Sequence, residues 1–285
     1  MDRRAGTSGE LEDVRREIDA IDDAMLDLLR RRFGAVARVK AIKGLDAGAK
    51  GPAFRPAREA QVIRRLVEAG EGAVPAGTVA KIWFELMAAA TQMQAPLRLH
   101  LVTTVRRAQH QDLIRFHGGP DVEIVSHFRP EDALGAVAES SGDMALWPID
   151  DGSGALTYIE QRFLSALAGE KVADLRINAR LPFMADALRA SAYVIGKAPY
   201  EASGDDTTMI AVATSADDAA ALVTDAGFAQ AATVLGGEAP WSLVALAGYT
   251  SADDGRFGRL ADNAAVDGWR YLGGFANPIT VGDAS

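Results

Sequence analysis

The chain reads as a multidomain protein: an all-α N-terminal segment of three helices, then an α/β lobe, then an α+β tail. Three observations predict this. From Leu11 to Lys43 apolar residues recur at spacings of three and four, the period of a helix seam. After Pro96 short apolar runs alternate with helical patterns. From Thr207 onward the elements follow the order β-α-β-β-α-β.

On the first helix, Leu11, Ile18, Met25 and Val39 fall on one heptad position and Val14, Ile21, Leu28, Ala35 and Ile42 on the other. Arg32 takes a seam position whose other occupants are apolar, while Arg15 and Lys43 sit one residue past the seam. At ~1.5 Å per residue, Arg32 and Lys43 lie about 16 Å apart along the rod, and Arg15 lies about 25 Å from Arg32. Arg32 and Lys43 can hold a small anion between them. Arg15 reaches it only from an antiparallel second copy, so the rod predicts a homodimer with two shared sites. A snorkelling arginine is the alternative for any one of these residues taken alone.

The 285 residues suit two or three modest domains. Hydrophobic residues make up 48% and charged residues 24%, as in ordinary soluble proteins. No run approaches the ~18 apolar residues of a membrane span. Met1-Asp2-Arg3-Arg4 has no apolar stretch behind it, so no secretory signal is read there and a cytoplasmic protein is expected. Cysteine is absent, which excludes disulfides, thiolate metal sites and cysteine nucleophiles. The net charge of -9 is uneven: +2 through Leu97 and -11 beyond it. That balance argues against nucleic acid and favours a small anionic ligand on the helices.

Thr7 and Glu10 form a T-x-x-E pattern that predicts a capping box before Leu11. The glycine-rich stretch Gly44 to Pro52 ends the first helix. A second helix opens at Arg55-Pro56-Ala57-Arg58-Glu59 and runs to Gly70, with Pro56 at its first helical position. A third opens at Pro75, carries the row Ile82, Leu86, Ala90, Gln94, and stops at Ala95-Pro96.

An early Arg15, late Arg32 and Lys43, R-P-x-R-E at 55–59 and Gln94 together resemble the all-helical (AroQ-class) chorismate mutase family. The resemblance covers about a third of the chain, residues 1–97. It implies an intertwined dimer that converts chorismate to prephenate, an isomerase step of aromatic amino acid biosynthesis in the shikimate pathway, with no cofactor and no metal. It further implies that Arg15 of the neighbouring chain and Arg32 clamp the two carboxylates. Lys43 and Gln94 would donate to the ether oxygen, Glu59 would take the ring hydroxyl, and Arg58 would support the site. Ala90 departs from the pattern, because many relatives carry a serine there. Thr91 lies about 100° round the helix.

In residues 98–203, Leu99–Val102, Val122–Val125 and Met144–Ile149 read as buried strands, with helices at Gln109–Phe116 and Pro130–Glu139 between them. Gly142-Asp143-Met144-Ala145-Leu146-Trp147-Pro148-Ile149-Asp150 resembles the strand and turn of prephenate dehydratases. A generic α/β domain with a Trp-Pro-Ile-Asp run is the alternative. Their T-R-F motif would fall at Ala190-Ser191-Ala192, which has neither Thr nor Arg, and Leu156 to Arg189 is short for a second lobe. The resemblance therefore implies a degenerate dehydratase-like region. Residues 204–285 resemble a ferredoxin-like ACT domain, closed by Arg270 to Phe275. Its G-A-L loop reads Ala220-Ala221-Leu222, and its E-S-R-P motif is absent around Leu235 to Glu238, so phenylalanine binding is not expected. The four histidines read as surface or core. Two other functions stay open: a bifunctional mutase and dehydratase, and a non-catalytic dimeric protein that senses a small molecule.

Overall fold

The computed structural model describes residues 3–44, 53–70, 73–95, 97–149, 155–185, 190–228, 233–235 and 240–279, with side chains from Gly9 onward except at 233 and 234. The chain divides into two compact units, Met1–Lys50 and Gly51–Ser285.

The first unit is helix α1, Arg3–Ile42. Its 40 residues make a rod of roughly 60 Å. The helix continues upstream through Thr7 and Glu10, so the expected capping box does not start it. A T-x-x-E pattern caps only where the chain enters from a non-helical residue, and here it sits inside the helix. The apolar seam is present and uncovered. Leu11, Val14, Ile18, Ile21, Met25 and Leu28 are each about half exposed, and Ile42 is 85% exposed. The glycine-rich exit lies outside the described residues beyond Gly44, which itself has φ 67°.

The second unit opens with α2, Pro56–Ala69, and α3, Ala76–Gln94. Pro56 occupies the first turn of α2, where no N–H is needed. Then follow β1 (Arg98–Val102), α4 (Arg107–Gly118), β2 (Glu123–His127), α5 (Pro130–Glu139) and β3 (Met144–Ile149). Next come α6 (Tyr158–Ala168), β4 (Arg176–Leu181) and β5 (Ser191–Gly196). The tail supplies β6 (Asp206–Val212), α7 (Ala216–Asp225), β7 (Thr233–Leu235), β8 (Ser242–Ala247), α8 (Gly255–Ala261) and β9 (Trp269–Ala276). The expected strand near Val122 is half-exposed, because β2 is the sheet edge; Val122 itself is buried. Ala220-Ala221-Leu222 lies within α7 rather than in a loop. The glycines after Leu235 lie outside the described residues.

The described strands form one mixed sheet in the order β2-β1-β3-β5-β4-β9-β6-β8-β7. β1, β2 and β3 are parallel, β5 runs antiparallel to β3 and β4, and β4 meets β9 in parallel. The last four strands in that order are mutually antiparallel, with α7 and α8 in the connections, which is the ferredoxin-like arrangement. Alternation assigns each strand's two faces. Ala145, Trp147 and Ile195 pack with Leu134, Phe163 and Leu164 of α5 and α6. Met144, Leu146 and Val194 pack on the opposite face with Leu113 and Ile114 of α4. A bulge at Asn178 lets β4 send Ile177 to the first core and Ala179 to the second.

Helix α2 is stapled to this unit by polar contacts. Arg55 donates to both carboxylate oxygens of Glu201, at 2.6 and 2.8 Å from Nη2. Gln61 donates to the Ala202 carbonyl, and Arg64 donates to the carbonyls of Ser203, Asp205 and Asn277. Ala60 and Ile63 on the same helix bury against Phe84, Phe183 and Met184.

The tightest point of the sheet is β9. Gly273 has φ 94°, and a Cβ placed there would lie 2.3 Å from the Ile177 carbonyl oxygen of β4. Gly273→Ala should therefore destabilise the second unit by about 3 kcal/mol or more in denaturant unfolding. Gly258→Ala in α8, where a Cβ meets nothing within 4 Å, should be neutral or slightly stabilising. Equal effects of the two substitutions would show that the close approach at Gly273 is not a constraint.

Candidate functional site

Arg15, Arg32 and Lys43 belong to the first unit, and Arg58, Glu59 and Gln94 to the second. Arg15 is exposed, and its Nη1 lies 2.7 Å from Glu12 Oε1. Arg32 is half-buried, with its guanidinium 5.8 Å from the Phe33 ring centre, and burial lowers its pKa. Lys43 is exposed just past the end of α1.

In the second unit, Arg58 is exposed on α2 and its Nη1 approaches Gln61 Oε1 at 3.4 Å. Gln94 ends α3 with its Nε2 donating to the Ala90 carbonyl at 3.2 Å; its Oε1 is buried with no partner among the described residues. Glu59 lies one residue on from Arg58, so it points about 100° round the helix, and it lines a cavity of about 70 Å³. Residues from α2, α3, α4 and the sheet enclose that cavity: Phe54, Phe84, Leu99, Leu146 and Phe183 give its apolar wall. No hydrogen bond is made by the Glu59 carboxyl among the described residues. Burial among these groups pushes its pKa up to about 8. Gln94 and Arg58 are not part of the lining, so the structure joins neither to Glu59 there.

The same cavity carries two residues the sequence did not single out for function. Thr91 is buried on α3, one residue past the Ala90 at which a serine was expected. His117 on α4 presents Nε2 buried without a partner among the described residues, with its ring edge-on to Phe84 at 4.6 Å. Burial lowers its pKa to about 3, so the imidazole is neutral at ordinary pH. In the sequence His117 only continues the apolar row Leu113, Ile114 at helical spacing, a pattern that reads as core.

A second polar cluster clamps the parallel strands. Asp143, just before β3, accepts from Arg98 Nε and Nη2 at 3.0 and 2.6 Å and from the Arg98 backbone N–H at 3.0 Å. His100 Nε2 lies 3.3 Å from Asp143 Oδ2, and His100 Nδ1 lies 2.8 Å from His127 Nε2. Burial alone would raise the Asp143 pKa, but the hydrogen bonds from Arg98 and His100 outweigh it and hold the carboxylate ionised. An ionised Asp143 only accepts, so His100 Nε2–H donates to it. His100 and His110 are both buried. No group of three or more His, Asp or Glu side chains placed to hold a metal ion occurs among the described residues, and no helix there is long and apolar enough to cross a membrane.

Residues 14–95, which span most of α1 and all of α2 and α3, match the family model described as chorismate mutase type II. That segment spans all six residues named above. Among individual proteins, the chain is similar to the bifunctional chorismate mutase/prephenate dehydratase of Aquifex aeolicus, with 24% identity over 181 residues, 59% of this chain and 48% of that protein. The protein of the same description from Pseudomonas aeruginosa is 30% identical over 93 residues, 32% of this chain and 25% of the relative. The chain thus spans about half the length, or less, of these curated relatives. Among solved structures, prephenate dehydratase in complex with L-Phe from Arthrobacter aurescens aligns with 65% of this chain and 93% of its own, at 13% identity and a TM-score of 0.44.

The raised pKa of Glu59 makes a signed prediction. Its folded value of about 8 exceeds the ordinary carboxyl value of 4.5, so the folded form binds more protons between these pH values and stability falls as pH rises through that window. Glu59→Gln should match wild type in melting temperature near pH 4 and exceed it increasingly up to pH 8–9. A constant gap across the range would contradict a carboxyl buried in its protonated form.

Proposed function

We propose that the chain is a chorismate mutase that converts chorismate to prephenate, acting as a homodimer with two shared sites. The observation that carries this reading is the family match over residues 14–95, which contains Arg15, Arg32, Lys43, Arg58, Glu59 and Gln94 in the expected order. The reaction is a unimolecular Claisen rearrangement, so the protein's task is to hold a folded dicarboxylate and stabilise charge that grows on the ether oxygen. In this proposal Arg32 and the neighbouring chain's copy of Arg15 clamp the carboxylates, and Arg58 supports them. Lys43 and Gln94 donate to the ether oxygen, and Glu59 takes the ring hydroxyl. The uncovered seam of α1 supports a second copy, because six large apolar side chains in a row stay half exposed in one chain.

The remaining segments are proposed to be a dehydratase-like region without dehydration and an ACT-like tail. Strands β3 and β5 are neighbours, with Ile149 opposite Ser191 and Pro148 opposite Ala192. The triplet Ala190-Ser191-Ala192 at the start of that strand offers neither the Thr nor the Arg a dehydratase would use there. The bifunctional relatives favour, as the second reading, a chain that also dehydrates prephenate.

Incubation with chorismate should yield prephenate and no phenylpyruvate above the spontaneous background. Enzymatic phenylpyruvate would establish the second reading, and no prephenate would leave a non-catalytic dimer. Lys43→Ala should lower kcat by roughly 10², the cost of one lost donor to developing charge. Arg15→Ala should chiefly weaken substrate binding. If Arg15 serves the other chain's site, mixing the two inactive variants restores activity once subunits exchange. Saturating phenylalanine should leave the melting temperature unchanged. A phenylalanine-dependent rise would reinstate the ACT ligand.

A further inference from the structure

A second cleft of the sheet unit shares no described lining residue with the cavity at Glu59. It opens where the loop leading into β6, the end of β8 and the exit of β9 meet, and its volume is about 430 Å³. That is the size range of small-molecule sites. Two lining glycines keep its walls bare: at Gly204 and Gly248 an added Cβ would meet nothing within 4 Å. Tyr249 also lines it, 43% exposed, with its ring 5.0 Å from that of Tyr200. The carboxylate of Asp205 is oriented by a relay of lining residues. Thr207 Oγ1 donates to Asn277 Oδ1, and Asn277 Nδ2 donates to Asp205 Oδ1, each at 2.6 Å. The other oxygen, Asp205 Oδ2, lies 4.0 Å from Arg64 Nη2, beyond hydrogen-bond reach. Arg64 instead donates to the carbonyls of Ser203, Asp205 and Asn277, which fixes this wall before any ligand arrives.

We propose that this cleft binds a small organic cation, an arylalkylamine without a carboxylate, with its ammonium on Asp205 Oδ2 and its ring against Tyr249. Charge sets the sign of the ligand. Asp205 and Asp206 both line the cleft, and no Lys, Arg or His is among the described lining residues. Arg64 behind the wall offsets one of the two carboxylates, which leaves one negative charge for a monocation. Asp206 is already engaged, because its two oxygens accept from Ser203 and Gly204, so Asp205 is the group that can pair. One open carboxylate is too few ligands for a bare divalent metal ion. An amino acid would bring a carboxylate with no lining cation to meet it. The exposed face of Tyr249 suits an ammonium or an aromatic ring. This site stands independently of the mutase reading.

Calorimetric titration of the full chain with phenethylamine, with phenethyl alcohol as its neutral isostere and with phenylalanine, tests the proposal. Phenethylamine should bind saturably at one site per chain, at least about tenfold tighter than the alcohol, as one hydrogen bond to a charged group requires. Phenylalanine should not bind there. Added salt should weaken the amine and leave the alcohol unchanged, a readout on the unaltered protein. Asp205→Asn, which keeps an acceptor for Asn277, should remove the preference for the amine and retain the affinity for the alcohol. Tyr249→Ala should weaken both probes. No saturable binding of phenethylamine, equal affinities for amine and alcohol, phenylalanine bound as tightly as the amine, or an amine affinity insensitive to both salt and Asp205→Asn would each overturn the proposal.

Discussion

The close approach at Gly273 and Gly274 is the constraint on which the second unit depends. β9 is wedged between β4 and β6, and side chains at either position would collide: Gly273 with Ile177 of β4, Gly274 with Thr207 of β6 and with Tyr200. Only residues without a Cβ let the three backbones share one sheet at that spacing. Without that contact the α/β lobe and the tail would be separate sheets, each with an exposed edge. The continuous sheet also fixes the surface on which α2 rests. The carbonyls that receive Arg64 come from Ser203 and Asp205, which lead into β6, and from Asn277, which follows β9.

This arrangement divides the helical segment. α2 and α3 are built into the sheet unit by the Arg55–Glu201 pair, by Arg64 and by the core around Ile63 and Phe84. α1 forms the other unit and keeps an apolar seam exposed. A helix with a half-exposed stripe of Leu, Ile, Val and Met gains little from burial within its own chain. The proposed second copy would cover that stripe and bring Arg15 to a neighbour's site.

Much of this was legible in the sequence where a local rule decides. Pro56 and Pro75 mark the starts of α2 and α3, Pro130 opens α5 as expected, and the six tail elements appear in the order read. The errors came where tertiary context decides. The T-x-x-E pattern at Thr7 could not reveal that the helix continues upstream. The run after Val122 looked buried because its apolar residues do not say that β2 lies at the edge. The fusion of the two α/β segments through Gly273 involves partners about a hundred residues apart, for which a single sequence holds no pairing signal. At the candidate site, Glu59 and Gln94 were visible as polar residues in helical context. His117 and the Asp143–His100–His127 chain were not, because a lone histidine in an apolar row reads as core until its neighbours are known.

The central proposal is that mutase activity belongs to the pair of chains rather than to one. It is tested most directly by measuring prephenate formation per chain while the protein is diluted through its association equilibrium, with mass followed by light scattering on the same samples. The account predicts that the specific rate falls in proportion to the dimer fraction and is negligible for monomer. A specific rate that stays constant while the mass drops to that of one chain would contradict it.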